Sequence, residues 1–192
     1  MVIKLERKDF LQCTDLTGLF AVGGMLLGAF YFQIVLGELP CALCNLIRAA
    51  LLVFGAGLFL NIRFVTNPWN YILSGALIGS LISLLFLFVK APPGTPPTGS
   101  AILGLHMYSW TFIFFTGAIA YCMLALALTS NGSGEQSRNE SAGRLRRLAI
   151  ALFFVVGVAN LLSAFLQNGF APFKASNQQH YQMLYDGDVM KP

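Results

Sequence analysis

Apolar residues gather into five long runs, roughly Leu16–Leu36, Ala42–Ile62, Trp69–Val89, Leu105–Leu128 and Leu148–Leu166, separated by shorter polar stretches. Each run is close to the roughly 20 residues that an α-helix needs to cross the hydrocarbon of a bilayer. A helix also pairs its own backbone groups, which hydrocarbon demands because it offers no water. The pattern therefore predicts an all-α fold, a polytopic membrane helix bundle. Glycines and serines punctuate the runs (Gly23, Gly24, Gly28; Gly55, Gly57; Gly75, Gly79, Ser83), as in membrane helices that pack closely. Gly75 and Gly79 form a small-xxx-small pair, for which packing within the chain is a sufficient account.

The intervening segments are Gly37–Cys41, Arg63–Pro68, Lys90–Gly104 and Thr129–Arg147. The third holds Pro92, Pro93, Pro96 and Pro97 and predicts a loop. The fourth reads as a flexible linker that closes on Arg144-Leu145-Arg146-Arg147, and Gln167–Pro192 reads as a polar tail on the membrane surface. The first run is too long for the apolar part of a signal peptide, and no small-residue cleavage site follows it, so it is expected to stay as a span.

Composition agrees with a bilayer setting. Of 192 residues, 56% are hydrophobic and only 10% charged, where soluble domains carry about 25% charged residues. Five spans leave no room for a sizeable soluble domain. The net charge of +4 does not point to nucleic acid, because the basic residues border the apolar runs. With a cytoplasmic N-terminus, that side holds Lys4, Arg7, Lys8, Arg63, Arg138, Arg144, Arg146 and Arg147. The other side holds Lys90, Lys174 and Lys191, with Arg48 just inside a span. That asymmetry predicts N-in, C-out. Cys41 and Cys44 then sit on the outer side, which in bacteria is oxidising.

Four cysteines are present: Cys13, Cys41, Cys44 and Cys122. Cys41 and Cys44 form a C-x-x-C motif, weak evidence alone but strengthened by Pro40 and by the start of a helix. A thiolate at a helix N-terminus is stabilised by unpaired N–H groups and the helix dipole. The plain alternative is two small apolar residues lining a helix start. A zinc site wants four ligands, and only His106 could lie near. Arg48 follows Cys44 by four positions and Cys41 by seven, so all three share one helix face. An arginine at that depth costs about 2.5–3.5 kcal/mol on insertion scales, which favours a functional role over snorkelling to the headgroups. Gln33 lies at a comparable depth, where it could bond across the bundle or simply pack. Trp110 reads as an interfacial residue and His106 as a headgroup contact. Cys13 falls on the cytoplasmic side and Cys122 in mid-span, so neither is expected to reach the pair.

The stretch Tyr31-Phe32-Gln33 … Leu39-Pro40-Cys41-Ala42-Leu43-Cys44-Asn45-Leu46-Ile47-Arg48 resembles the DsbB family of disulfide bond formation proteins. Leu103-Gly104-Leu105-His106-Met107 … Trp110 is similar to the start of that family's fourth helix, and Phe10-Leu11-Gln12-Cys13 is similar to its amino terminus. The resemblance covers about residues 8–130. It implies a four-helix membrane domain there, to which the cytoplasmic basic linker (131–147), a fifth transmembrane helix (148–166) and a periplasmic tail (167–192) are additions. It also implies electron transfer from a periplasmic thioredoxin-like or other thiol protein to a quinone, ubiquinone or menaquinone, in the bacterial inner membrane. Cys41 and Cys44 would be the redox disulfide, with Cys44 adjoining the quinone and Arg48 contacting it. Two features depart from the family pattern. The loop Lys90–Gly104 lacks the second cysteine pair that exchanges with the partner, and Lys90 and Ala91 stand where a quinone-side histidine is expected.

The sequence thus leaves two readings, a quinone-dependent thiol oxidoreductase or a non-enzymatic membrane subunit that helps assemble a larger redox complex. A transporter is disfavoured because the spans hold no ionisable residue apart from Arg48.

Overall fold

The computed structural model describes residues 2–64, 66–90, 92, 94, 101–129, 143–169, 181 and 183, and of residues 2–9 only the backbone. The helices are α1 (Val2–Ile34), α2 (Ala42–Arg63), α3 (Pro68–Leu73), α4 (Ala76–Lys90), α5 (Met107–Thr129) and α6 (Gly143–Asn168). A small antiparallel hairpin, β1 (Ala101–Ile102) with β2 (Leu105–His106), precedes α5. Five stretches are long and apolar enough to cross a membrane: Phe10–Ile34, Ala42–Arg63, Pro68–Lys90, Met107–Thr129 and Gly143–Asn168. The chain is a helical, multi-pass membrane protein.

Each span turns one stripe inward. On α1 the buried positions are Leu11, Asp15, Leu19, Val22, Leu26, Ala29 and Gln33. Steps of three and four residues keep them on one face. On α5 they are Thr111, Phe115, Ala118, Cys122 and Ala125, and on α6 Ala149, Phe153, Val156, Asn160, Ser163 and Gln167. Helix α1 packs on α2 and α6, α4 on α5, and α2 bridges α4 and α6. The α2–α6 seam is close because Gly55 lies under the Phe153 ring and Gly157 leaves room for Leu52. The outward faces stay apolar, with Leu77, Leu81, Phe88, Val155 and Leu161 among the most exposed side chains. Lipid is their expected solvent.

Several boundaries differ from the pattern-based expectation. Helix α1 begins at Val2, well before Leu16, because the polar stretch ahead of the apolar run continues the same helix. The third span is interrupted between α3 and α4, where Gly75 takes φ +70°, a conformation that only glycine adopts without strain. Both members of the small-residue pair serve packing within the chain, Gly79 receiving the Phe115 ring of α5 and Gly75 lying against Val53 of α2. Leu105 and His106 belong to the hairpin, so the fourth span starts at Met107 and the fold has a minor β element. The basic Arg144–Arg147 run already lies inside α6. The rest of the linker with Arg138, most of the Lys90–Gly104 loop, and most of the tail with Lys174 and Lys191 lie outside the described residues.

The largest correction concerns charge. Arg48 is not the only ionisable residue in the spans, because Asp15 lies in the first one and is 1% exposed. Tyr71 donates to its Oδ2 at 2.9 Å, and Tyr121 to its Oδ1 at 2.5 Å. The Thr14 hydroxyl lies 3.1 Å from the Tyr121 oxygen, and the two tyrosine rings meet edge to face. The cluster ties α1 to α3 and α5 at one end of the bundle. A buried hydroxyl left without its acceptor costs about 1–3 kcal/mol, whereas replacing both partners by apolar groups can be nearly neutral. Asp15→Leu alone should therefore lower the thermal midpoint in detergent markedly. Asp15→Leu combined with Tyr71→Phe and Tyr121→Phe should recover most of the loss; a triple variant no more stable than the single one would contradict this account.

Candidate functional site

At the opposite end, α1 finishes and α2 begins within a few residues. The backbone N–H of Val35 bonds to the carbonyl of Tyr31, that of Glu38 bonds to the carbonyl of Phe32, and Gly37 takes φ +68°. Such wide closure with a left-handed glycine is how a helix ends abruptly. The chain then turns straight into α2. Cys41, with φ −73° and ψ 170°, is the N-cap of α2, so Pro40 lies one residue before the cap rather than in the first turn. The Cys44 N–H donates to Cys41 Sγ at 3.3 Å, and the Asn45 N–H bonds to the Cys41 carbonyl at 3.0 Å. The sulfur occupies the place where a serine or aspartate oxygen usually accepts from the first turn.

Both cysteines are free thiols of intermediate burial, and their sulfurs lie 2.7 Å apart. A shift of under about 1 Å would bring them to the bond length of a disulfide. The Cys44 thiol and the first-turn N–H groups stabilise charge on Cys41 more than burial opposes it, and they pull its pKa down to about 6.

Arg48 is 9% exposed and does not snorkel outward. Its Nη1 donates to Gln33 Oε1 at 2.6 Å, and its Nη2 to the Ala29 carbonyl at 3.0 Å. The Phe30 ring centroid lies 5.9 Å from its Cζ. Hydrogen bonds to a charged group contribute about 1.5–3 kcal/mol each. Two of them offset the insertion cost, which is about 2.5–3.5 kcal/mol. Gln33, 3% exposed, is in turn fully engaged, since its Nε2 donates to Ser163 Oγ at 2.7 Å and to Tyr181 Oη at 2.6 Å. Gln167 Nε2 donates to the Pro40 carbonyl at 2.8 Å, directly ahead of the cysteine pair.

Cys44 and Arg48 open onto a common cavity of about 100 Å³. Met25, Phe32, Ile47 and Phe86 make its walls largely apolar, while Tyr108 and Thr111 of α5 add hydroxyls. A second cavity of about 560 Å³ runs between α1 and α5 past Gly24, Gly28 and Trp110. Met25, Phe32 and Met107 line both. Trp110 Nε1 donates to the Ile102 carbonyl at 3.0 Å and so anchors the hairpin over this groove. His106 stacks on Tyr108 with centroids 5.3 Å apart. No cluster of three or more metal-ligating side chains exists among the described residues.

The structure thus brings together Cys41, Cys44, Arg48 and Gln33, as their spacing suggested. Cys13 lies on α1 twenty positions before Gln33, about 30 Å along the helix axis. Cys122 is buried on α5 beside Ser74, at 3.7 Å between Sγ and Oγ. Sequence reasoning missed Ser163, Gln167 and Tyr181, and it placed Asp15 outside the first span. For the first two and for Asp15 a signal existed, since each falls on the inward stripe of its helix. Nothing local marked Tyr181.

The lowered Cys41 pKa has a direct consequence. Only the thiolate is alkylated, so in the fully reduced protein the rate at Cys41 should rise with pH through about 6 and level off above it. In Cys44→Ala, which lacks the neighbouring thiol, the midpoint should climb toward the ordinary thiol value of about 8.5. Peptide mapping after brief iodoacetamide exposure checks this, and an unchanged midpoint in Cys44→Ala would contradict it.

No curated protein and no solved structure matches the chain significantly. One protein family does: the model for disulfide bond formation protein DsbB matches residues 14–98, from Thr14 in α1 through the cysteine pair and Arg48 to beyond α4. With its helical membrane fold and its C-x-x-C cap, this part of the chain is similar to the DsbB family, whose members are membrane proteins of disulfide bond formation.

Proposed function

We propose that the chain is a quinone-linked thiol:disulfide oxidoreductase of the bacterial cytoplasmic membrane, working through a Cys41–Cys44 disulfide on the periplasmic side. The observation that carries this reading is that Cys44 and Arg48 face one largely apolar cavity while Cys41 caps the same helix. The thiol of a periplasmic partner, a thioredoxin-like or other thiol protein, attacks Cys41 as its thiolate. The bond between Cys41 and Cys44 breaks, a mixed disulfide to Cys41 forms, and Cys44 leaves as a thiolate one helical turn from the Arg48 cation. The partner's second thiolate then attacks its own sulfur in the mixed disulfide and displaces Cys41. The low pKa of Cys41 makes it a good leaving group, because the cap already stabilises its negative charge.

The pair now holds two electrons, and the partner's two thiols have released two protons. Cys44 and Arg48 would hold a quinone at the wall of the cavity, and such a group would supply the two-electron, two-proton acceptor that lets the pair close again to the disulfide. The residues present suit such a group. Arg48 has N–H donors beyond those given to Gln33 and Ala29, and the groove between α1 and α5 offers an apolar channel for a hydrocarbon tail. Lacking a second pair in the described loop or elsewhere in the sequence, the partner must approach Cys41 itself.

Full-length protein in quinone-loaded vesicles, given a reduced dithiol donor, should form quinol. Cys41→Ser and Cys44→Ser should each abolish it. Arg48→Met should keep thiol exchange and raise KM for quinone about 10- to 100-fold, the equivalent of losing a charge-assisted bond of about 1.4–2.8 kcal/mol. Cys44→Ala should accumulate a mixed disulfide through Cys41 that identifies the partner. If Cys41→Ser leaves periplasmic disulfide formation untouched and blocks only the assembly of a partner complex, the enzymatic reading fails and that of a membrane subunit stands.

A further inference from the structure

Helix α6 and Tyr181 lie wholly outside the stretch matched by the family, yet α6 supplies two polar contacts around the cysteine pair and Tyr181 a third. We propose that α6 and Tyr181 are a positioning element of the redox centre: Ser163 and Tyr181 orient the Gln33 amide that holds Arg48, and Gln167 fixes the Pro40 carbonyl ahead of Cys41. This rests on the oxidoreductase reading above and goes beyond it by giving the fifth span a task.

A primary amide has two faces that differ only in which atom points where. Gln33 presents oxygen to Arg48 because both of its N–H donors are claimed on the other side, by Ser163 Oγ and Tyr181 Oη. Remove those acceptors, and two donors of a buried amide lose their partners at about 1–3 kcal/mol each. The amide can then turn, presenting N–H groups to a guanidinium that also only donates. Arg48 would lose its short bond at 2.6 Å, keep only the Ala29 carbonyl, and shift relative to Cys44. The second contact works on the other cysteine. Pro40 has no N–H of its own and precedes the cap, so its carbonyl is the handle by which the turn can be held, and Gln167 grips it at 2.8 Å. Loosening that turn would pull Cys41 Sγ out of line with the Cys44 N–H.

The two contacts predict separable defects in the full-length protein. Ser163→Ala with Tyr181→Phe should raise KM for quinone about tenfold while thiol exchange stays within about twofold. Because the cation moves from the reduced, thiolate-bearing pair, the midpoint potential of Cys41–Cys44 should also fall by about 30 mV, a tenfold change in its equilibrium constant. Adding Gln33→Glu should restore both, since a carboxylate offers oxygen to Arg48 whichever way it turns. Gln167→Leu should leave the KM alone and move the Cys41 alkylation midpoint upward by about one pH unit, a tenfold loss of thiolate at low pH. Wild-type values in either arm overturn the role given to the residues of that arm. A uniform fall of KM-normalised rate, exchange rate and thermal midpoint, not rescued by Gln33→Glu, overturns the proposal in favour of simple structural support. Should the wild-type protein form no quinol at all, the oxidoreductase reading fails separately; the potential and the alkylation midpoint, which need no quinone, still decide this one.

Discussion

A guanidinium among membrane-spanning helices has no water to solvate it, and the arrangement of the cysteine end of this bundle follows from that constraint. Arg48 can remain at its depth only if other helices bring acceptors to it. Helix α1 brings two, the Ala29 carbonyl and the Gln33 oxygen. Gln33 then needs acceptors of its own, and α6 with Tyr181 brings those. One charge on α2 thereby recruits two further spans in succession, α1 and then α6. The same requirement keeps the cation from escaping to the headgroups, so it stays one turn from Cys44 and at the wall of the cavity. A lysine would place a point charge with a longer, looser stem there and lose the fork that reaches two acceptors at once.

The spans were legible because hydrocarbon imposes length and apolarity on each of them independently. Their ends were not, since α1 runs on into polar sequence and the third span breaks at Gly75, and neither feature alters hydropathy. Which face of each span turns inward was also obscure. In water the outward face is polar and betrays the inward one, but here lipid accepts Leu and Val on the outside. The informative residues are then the few polar ones: Asp15 and Gln33 on α1, Asn160, Ser163 and Gln167 on α6. They repeat in step with the buried apolar positions, because only there can they find partners. The cysteine pair and Arg48 were legible for a different reason, since their spacing on one helix fixes a shared face without any help from tertiary structure. Tyr181 was invisible because its bond to Gln33 spans 148 positions and follows no period.

In the proposed oxidoreductase, a single pair has to meet two demands that a chain with two pairs could divide: Cys41 would have to be reached by a protein thiol while Cys44 faces the cavity. Their place at the very start of α2 reconciles the two, because the cap residue lies outside the helix cylinder while a residue three positions on has completed most of a turn inside it. Such a cap is fragile, with few hydrogen bonds and the exposed apolar side chains of Ile34, at the end of α1, and Val35 and Leu36 in the short loop before it. What stabilises it comes from elsewhere in the chain. Helix α1 is clamped at the far end by Asp15 and its tyrosines, which sets the helix's axial position, and eighteen residues later, about 27 Å along, Gln33 is delivered to Arg48. Helix α6 closes the arrangement at Pro40. The geometry of two sulfurs at the membrane surface is therefore a property of the whole bundle, and the two polar ends of the α1 stripe are what transmit it.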